Sequence, residues 1–61
     1  MPLVQVSMVK GRSEAERRRL LEAITDAVEQ SIGAPRESIR VWIHELEPEN
    51  FITGGTNYAD R

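Results

Sequence analysis

Cysteine is missing from this 61-residue sequence, and histidine occurs only once. The absence of cysteine excludes a disulfide framework and a thiolate metal site, and a lone histidine cannot build a zinc site. The carboxylates show no calcium-loop spacing either. A chain this small buries little surface by itself, so association is the remaining source of stability. We therefore predict one domain over residues 1–61 that is an obligate oligomer and holds no metal.

Long apolar runs and a strong charge imbalance are also absent. No stretch approaches the roughly 18 apolar residues of a membrane helix, and no signal-peptide pattern is present. The net charge of −2, with 30% charged residues, gives no field that favours nucleic acid or an anionic membrane. The basic run at residues 17–19 is compensated, because Glu14 and Glu22 lie four residues on either side of Arg18. The composition thus predicts a cytoplasmic protein without nucleic-acid or membrane partners.

Two strand patterns flank one amphipathic helix. Residues 2–9 and 38–45 alternate between an apolar and a mixed face, which is typical of strands. Ser13 and Glu16 form a capping-box pattern that begins a helix over residues 14–32, and Gly33 is suited to end it. The apolar positions are Val4, Val6 and Met8 in the first strand, Leu21, Ile24, Val28 and Ile32 in the helix, and Ile39, Val41 and Ile43 in the second strand.

These elements predict an α+β fold. Strands joined through a helix lie parallel, through a right-handed crossover, and the helix is long enough to cover both. The other sheet face carries Leu3 and Trp42 among polar residues, which is too apolar for open water, so sheets are expected to pair across subunits. Gly54-Gly55 predicts a short C-terminal hairpin within residues 48–55, in a position to extend onto a neighbouring chain. Residues 57–61 are expected to form a polar tail whose order the sequence leaves open.

Pro2 would become the amino terminus if Met1 were removed. A free N-terminal proline is a secondary amine, and α-amino groups titrate at about 7.7–8.0 before nearby cations or burial lower the pKa. Such a group can act as a general base or acid near neutral pH. The alternative is that Pro2 simply opens an edge strand, where a missing N–H is tolerated.

Several local features occur in a characteristic order along the chain. They are Pro2 behind a removable Met1, the Gly11-Arg12-Ser13 turn, Pro35, Arg40 within Ser38-Ile39-Arg40-Val41, and Phe51 before Gly54-Gly55. In these features the whole chain resembles the 4-oxalocrotonate tautomerase family. That resemblance implies a fold in which two β-α-β units form a four-stranded sheet in each dimer, and three dimers form a hexamer. It also implies that no cofactor or metal is used.

The resemblance also implies a role for each site residue. Pro2 is expected to be the catalytic base and acid for enol–keto conversion of small unsaturated 2-hydroxy or 2-oxo carboxylates, such as 2-hydroxymuconate from aromatic breakdown. Arg12 is expected to hold the far carboxylate of the substrate. Arg40, contributed by a neighbouring subunit, is expected to bind the carboxylate and oxygen near the reacting end, and Phe51 to wall the pocket. Guanidinium groups suit this task because they bind carboxylates bidentately.

Simpler interpretations stand beside these roles. Arg12 can be a solvated turn residue, Phe51 a packing residue, Trp42 an interface residue and His44 a partly exposed strand residue. The chain can also be a non-catalytic scaffold or one partner of a heterohexamer. A retained Met1 would favour that alternative, because Pro2 would then be an amide. A hydratase that uses the same amine is a further possibility.

Two positions argue against a related chemistry. Dehalogenases of the superfamily carry an additional arginine late in the first strand and a water-activating glutamate in the C-terminal segment. These positions are occupied by Val9 and Thr53 in this sequence. Hydrolytic dehalogenation is therefore not the expected main activity. Ile52-Thr53 also differs from the glycine-containing stretch of the muconate isomerases, which leaves the preferred substrate open.

Overall fold

A computed structural model describes residues 1–60 of the chain. Strand β1 (Leu3–Val9) is followed by helix α1 (Glu14–Ile32), strand β2 (Arg40–Leu46) and a hairpin of β3 (Ile52–Thr53) and β4 (Thr56–Asn57). The predicted α+β class, with a β-α-β unit and a short C-terminal hairpin, is confirmed. Short 3-10 turns occupy Arg36–Ser38, Pro48–Asn50 and Tyr58–Asp60.

Strands β1 and β2 pair in parallel, as predicted. Leu3 lies opposite Arg40 at one end of the ladder, and Val9 lies opposite Leu46 at the other. The second strand begins two residues later than the predicted residue 38, because the chain after Pro35 forms a 3-10 turn in which the Ser38 N–H donates to the Pro35 carbonyl at 2.9 Å. The delayed start makes Arg40 the first residue of β2.

Helix α1 has the predicted bounds and the predicted caps. The Ser13 hydroxyl accepts from the Glu16 N–H at 3.1 Å, and the Glu16 carboxylate accepts from the Ser13 N–H at 3.0 Å. At the other end Gly33 has a φ of 69°, and its N–H donates to the Glu29 carbonyl at 3.0 Å. The capping box satisfies N–H groups that a helix start otherwise leaves without partners.

The two faces of the sheet differ in exposure as the alternation predicts. Val4, Val6 and Met8 are half-buried on the helix side, while Leu3 and Trp42 remain 62% and 42% exposed on the other side. The apolar stripe of α1 is shorter than predicted. Leu21, Ile24 and Val28 are half-buried, but Ile32 is 69% exposed, because no described part of the chain covers the last turn of the helix.

The C-terminal segment forms defined structure through residue 60. The predicted hairpin is confirmed, with Ile52 opposite Asn57 and Thr53 opposite Thr56. The order of the expected polar tail, which the sequence left open, is defined in the structure for residues 57–60. Asn57 belongs to β4 and its side-chain amide donates to the Glu49 carbonyl at 2.9 Å, and a 3-10 turn follows it. Arg61, the last residue of the expected tail, lies outside the described residues.

None of residues 1–60 is fully buried in the isolated chain. Its accessible surface is 4575 Å², against about 4000 Å² for a compact monomer of this mass. Its radius of gyration is 14.5 Å, against about 10.5 Å for a compact domain of this length. Among the described residues, no helix is long and apolar enough to cross a membrane, and no cluster of side chains is suited to hold a metal ion.

Candidate active site

Pro2 lies immediately before β1 and is half-buried. Its carbonyl accepts a hydrogen bond from the Arg40 N–H at 3.0 Å, which extends the parallel ladder by one residue and fixes the start of the chain to β2. Met1 precedes it and is 78% exposed. Met1, whose removal would free the Pro2 nitrogen, is therefore accessible, whereas Pro2 is held by the sheet.

Arg12 lies in the loop between β1 and α1, and its side chain is 64% exposed. Its guanidinium pairs with the Glu16 carboxylate at 3.3 Å. Hydrogen bonds from the Ser13 backbone and then from its hydroxyl lower the pKa of Glu16, with a smaller contribution from Arg12. Glu16 is thus anionic at neutral pH, and it holds Arg12 near the first turn of the helix.

Arg40 points away from the helix, on the open face of the sheet. Its side chain donates to the Glu37 carbonyl at 3.2 Å, and no carboxylate among residues 1–60 forms an ion pair with it. A guanidinium has five N–H donors in a planar fork. Arg40 therefore keeps most of its hydrogen-bonding capacity available for an anion.

Phe51 is held by the C-terminal segment. Its N–H donates to the Pro48 carbonyl at 3.2 Å, and its own carbonyl accepts from the Tyr58 N–H at 2.8 Å. The rings of Phe51 and Tyr58 meet edge to face, with centroids 5.9 Å apart and an interplanar angle of 84°. Edge-to-face pairs are favourable beyond the area they bury. The orientation of Phe51 is therefore set within its own segment.

A single chain does not bring these residues together. Pro2 and Arg40 lie at one end of the sheet, whereas Arg12 and Phe51 follow the opposite end, where Val9 pairs with Leu46. Seven strand residues separate the two ends by about 20 Å. Pro2 and Arg40 are neighbours, but Leu3 shares the face of Arg40, so alternation places Pro2 on the other face. A single chain therefore does not assemble the predicted site.

One open depression of about 330 Å³ lies at the Arg12 end of the chain. It contains three arginines and one glutamate around a small apolar floor. Two of these arginines, Arg17 and Arg19, are predicted from the sequence only as part of a compensated helix surface. The lining residues are Met8, Arg12, Glu16, Arg17, Arg19 and Leu20.

Glu45 lies beside Arg17, one of the residues that line this depression, and sequence patterns alone did not single it out. It forms an ion pair with Arg17 at 3.7 Å, and one of its carboxylate oxygens is enclosed. The sequence contained a signal for it. Glu45 shares the strand face of Val41 and Ile43, and a charge on an apolar, covered face needs a partner.

Comparison with known sequences decides the family. The family model described as "Tautomerase enzyme" matches residues 2–61. The chain belongs to the tautomerase family. Among curated proteins, a 2-hydroxymuconate tautomerase of Comamonas testosteroni is 39% identical over 57 residues, which cover 93% of this chain and 90% of that protein. The chain is thus an enzyme of the isomerase class, and the resemblance stated from its residues is confirmed.

Solved structures give the same fold. TomN, a 4-oxalocrotonate tautomerase homologue in the tomaymycin biosynthetic pathway, superposes with a TM-score of 0.93 at 40% identity, covering 98% of this chain and 92% of TomN. A heterohexamer 4-oxalocrotonate tautomerase from Chloroflexus aurantiacus superposes with a TM-score of 0.92 at 28% identity, covering 98% of this tautomerase and 97% of that chain. The tautomerase fold is therefore shown over nearly the whole length.

Proposed function

We propose that this tautomerase converts enols to ketones with Pro2 as its general base and acid, after Met1 has been removed. The proposed substrates are small unsaturated 2-hydroxy or 2-oxo carboxylates, with 2-hydroxymuconate as the leading example and aromatic breakdown as its source. The observation that carries the proposal is a half-buried Pro2, tied to β2 through the Arg40 N–H, behind one exposed methionine. The relationship to a 2-hydroxymuconate tautomerase supports the choice of substrate.

The proposed reaction is a proton transfer within the substrate. The neutral amine of Pro2 takes the proton of the 2-hydroxyl group, the oxygen becomes a carbonyl, and the double bonds shift along the chain. The protonated amine then returns the same proton to a distant carbon, so no oxidant or co-substrate is consumed. Arg40 would stabilise negative charge as it develops on the oxygen, and its positive charge would disfavour protonation of the resting amine.

The two arginines and Phe51 would complete the pocket. Arg12 would bind the far carboxylate of a dianionic substrate through charge-assisted hydrogen bonds. Phe51 would exclude water from one side of the substrate and so strengthen both ion pairs. Each of these residues could contact the substrate only in an assembly of several chains, because the length of the sheet separates Arg12 from Pro2 within one chain.

The proposed assembly is a homohexamer of three dimers, each with a four-stranded sheet. The isolated chain supports association, since none of residues 1–60 is fully buried and Leu3 and Trp42 are exposed on the open face. A two-stranded sheet with one helix is also too small for independent stability. We further propose the cytoplasm as the location.

Substitution of Pro2 tests the proposed function. Pro2→Ala leaves a primary amine without the ring that fixes the position of the nitrogen once Met1 is removed, and we expect turnover of 2-hydroxymuconate to fall by about a hundredfold, because a misplaced base transfers protons poorly. The measurement is the rate of ketone formation by absorbance, with the mass of each sample showing that Met1 is gone. Undiminished turnover by the processed variant would refute the role of Pro2.

A second candidate is a subunit of a mixed hexamer that keeps the fold without catalysing the reaction alone. The relative from Chloroflexus aurantiacus, a heterohexamer, favours this candidate. The intact mass of protein from its native source discriminates between the two. Loss of one methionine and a single type of chain support the homomeric enzyme, whereas a retained methionine or a second co-purifying chain supports the mixed assembly.

A further inference from the structure

An ion pair joins the first turns of α1 to the end of β2. The Arg17 guanidinium lies 3.7 Å from the Glu45 carboxylate, and the two side chains are only 31% and 27% exposed. The neighbouring pair of Arg18 with Glu14 has a shorter separation of 3.2 Å, but both of its side chains are 73% exposed. Solvent screens an exposed pair more strongly than a shielded one. The pair of Arg17 and Glu45 is therefore the stronger restraint of the two.

Glu45 lies within the sheet ladder and forms an ion pair with Arg17. Its position is set by β2, in register with Met8 of β1. One of its carboxylate oxygens, Oε2, is enclosed and accepts no hydrogen bond among the described residues, and this oxygen is the one that faces Arg17. A shielded carboxylate without a hydrogen-bond donor is unfavourable unless a cation lies nearby. Arg17 supplies that cation.

Arg17 also contacts the Arg12 loop. The same Nη1 atom that faces Glu45 donates a short hydrogen bond to the backbone carbonyl of Arg12. Gly11, just before Arg12, has a φ of 150°, a conformation that side-chain-bearing residues rarely adopt. The loop is therefore built on a permissive residue, and the bond from Arg17 fixes the peptide that carries the Arg12 side chain.

We propose that Arg17 and Glu45 form a positioning pair that directs the Arg12 guanidinium toward the far carboxylate of the substrate. The contacts run from strand β2 through Glu45 and Arg17 to the Arg12 backbone. The inference rests on the proposed function, because only the proposed function assigns Arg12 to the far carboxylate of the substrate. It adds two residues that determine how well the enzyme distinguishes dianionic from monoanionic substrates.

Two variants test the pair. Arg17→Gln with Glu45→Gln removes both charges together, so that neither is left uncompensated. We expect the KM for 2-hydroxymuconate, a dianion, to rise about tenfold, because small misplacements of a binding group have large kinetic effects. The KM for phenylenolpyruvate, a monoanion without a far carboxylate, should stay within about twofold. Arg17→Lys keeps a cation beside Glu45 but loses the planar fork, and we expect a rise of about threefold for the dianion alone.

Arg18→Gln is the matched control. It removes the same charge one residue away, from an exposed pair that does not contact the Arg12 loop. We expect it to leave both KM values unchanged. In an Arg12→Ala background, the Arg17 and Glu45 substitutions should cause no further rise in the KM for the dianion, because the pair acts through Arg12.

The outcomes separate the inference from the proposed function. If wild-type enzyme turns over neither substrate, the proposed function is wrong and the inference falls with it. If wild-type enzyme is active but the variants raise both KM values equally, or still raise the KM for the dianion in the Arg12→Ala background, the pair is only structural. Should the double variant fail to assemble, Arg17→Lys decides, and an unchanged KM for the dianion in that variant overturns the inference.

Discussion

Pro2 and Arg40 are adjacent in the sheet of one chain, but their side chains do not face each other. The Arg40 N–H donates to the Pro2 carbonyl at 3.0 Å, yet alternation places their side chains on opposite faces. The face of each residue was predictable, since it follows from strand periodicity alone. Strand periodicity does not predict the groups that would surround the Pro2 nitrogen, because in the proposed assembly they come from other chains. Only the family resemblance indicates those groups.

The two arginines should differ in their kinetic effects. Arg40→Ala is expected to lower kcat by about 10²–10³, because Arg40 would stabilise charge that appears only in the transition state. Arg12→Ala is expected to raise the KM for a dicarboxylate by about ten- to a hundredfold, with a smaller change in kcat, because it would bind a carboxylate that does not react. Steady-state kinetics with 2-hydroxymuconate provide the measurement.

Arg18→Ala is the control for both substitutions, because Arg18 pairs with Glu14 on an exposed part of α1. Its kinetic constants should match those of the wild type. Equal effects of all three substitutions would mean that only the total positive charge matters. No effect from Arg12→Ala and Arg40→Ala would mean that neither arginine binds the substrate.

Helix α1 was predicted almost completely because its boundaries depend on nearby residues. Ser13, Glu16 and Gly33 have the caps expected from their spacing. The C-terminal segment was predicted less well. Gly54-Gly55 gave the hairpin, but the fold of residues 57–60 depends on contacts between Tyr58 and Phe51 and between Asn57 and Glu49, which no periodic pattern reveals. The pairing of Arg17 with Glu45 was missed for the same reason.

Loss of the capping box should weaken α1 and the loop before it. Ser13→Ala removes the acceptor for the Glu16 N–H, and we expect a loss of about 1 kcal/mol of stability per chain. Ser13→Asp, which preserves an acceptor, should retain most of that stability. The measurement is chemical unfolding at one fixed protein concentration, since the stability of an oligomer depends on concentration. Equal stability of Ser13→Ala and the wild type would contradict the role of the cap.

The isolated chain is incomplete in two respects. It has no fully buried residue among residues 1–60, and its proposed site residues are divided between the two ends of the sheet, with Pro2 and Arg40 at one end and Arg12 and Phe51 at the other. The short length and the absence of cysteine predict that the chain needs partners, because neither a large core nor a disulfide can stabilise it. The number and arrangement of the partners were not predictable from these properties, because they depend on the shape of surfaces rather than on the pattern of one element.

A charge on the open sheet face should prevent assembly. Leu3 is 62% exposed there, and Leu3→Glu would place a carboxylate at an apolar subunit contact in the proposed hexamer. We expect sedimentation velocity to show smaller or unfolded species in place of hexamers. Ala23→Glu adds the same charge on the exposed side of α1 and should leave the assembly intact. A hexamer of the Leu3→Glu variant would exclude the open face as the contact.

Complementation between inactive chains tests most directly whether Pro2 works in a site assembled from several subunits. Pro2→Ala and Arg40→Ala chains, unfolded together in equal amounts and refolded, form hexamers in which some sites receive an intact Pro2 from one chain and an intact Arg40 from another. We assume that each site takes one Pro2 from one chain and one Arg40 from another. In an equal mixture about half of the sites receive an intact Pro2, and about half of those also receive an intact Arg40. Random assembly should therefore restore about one quarter of the wild-type activity. If the mixture is no more active than the two variants measured separately, Pro2 and Arg40 do not meet across a subunit boundary, and the account is wrong.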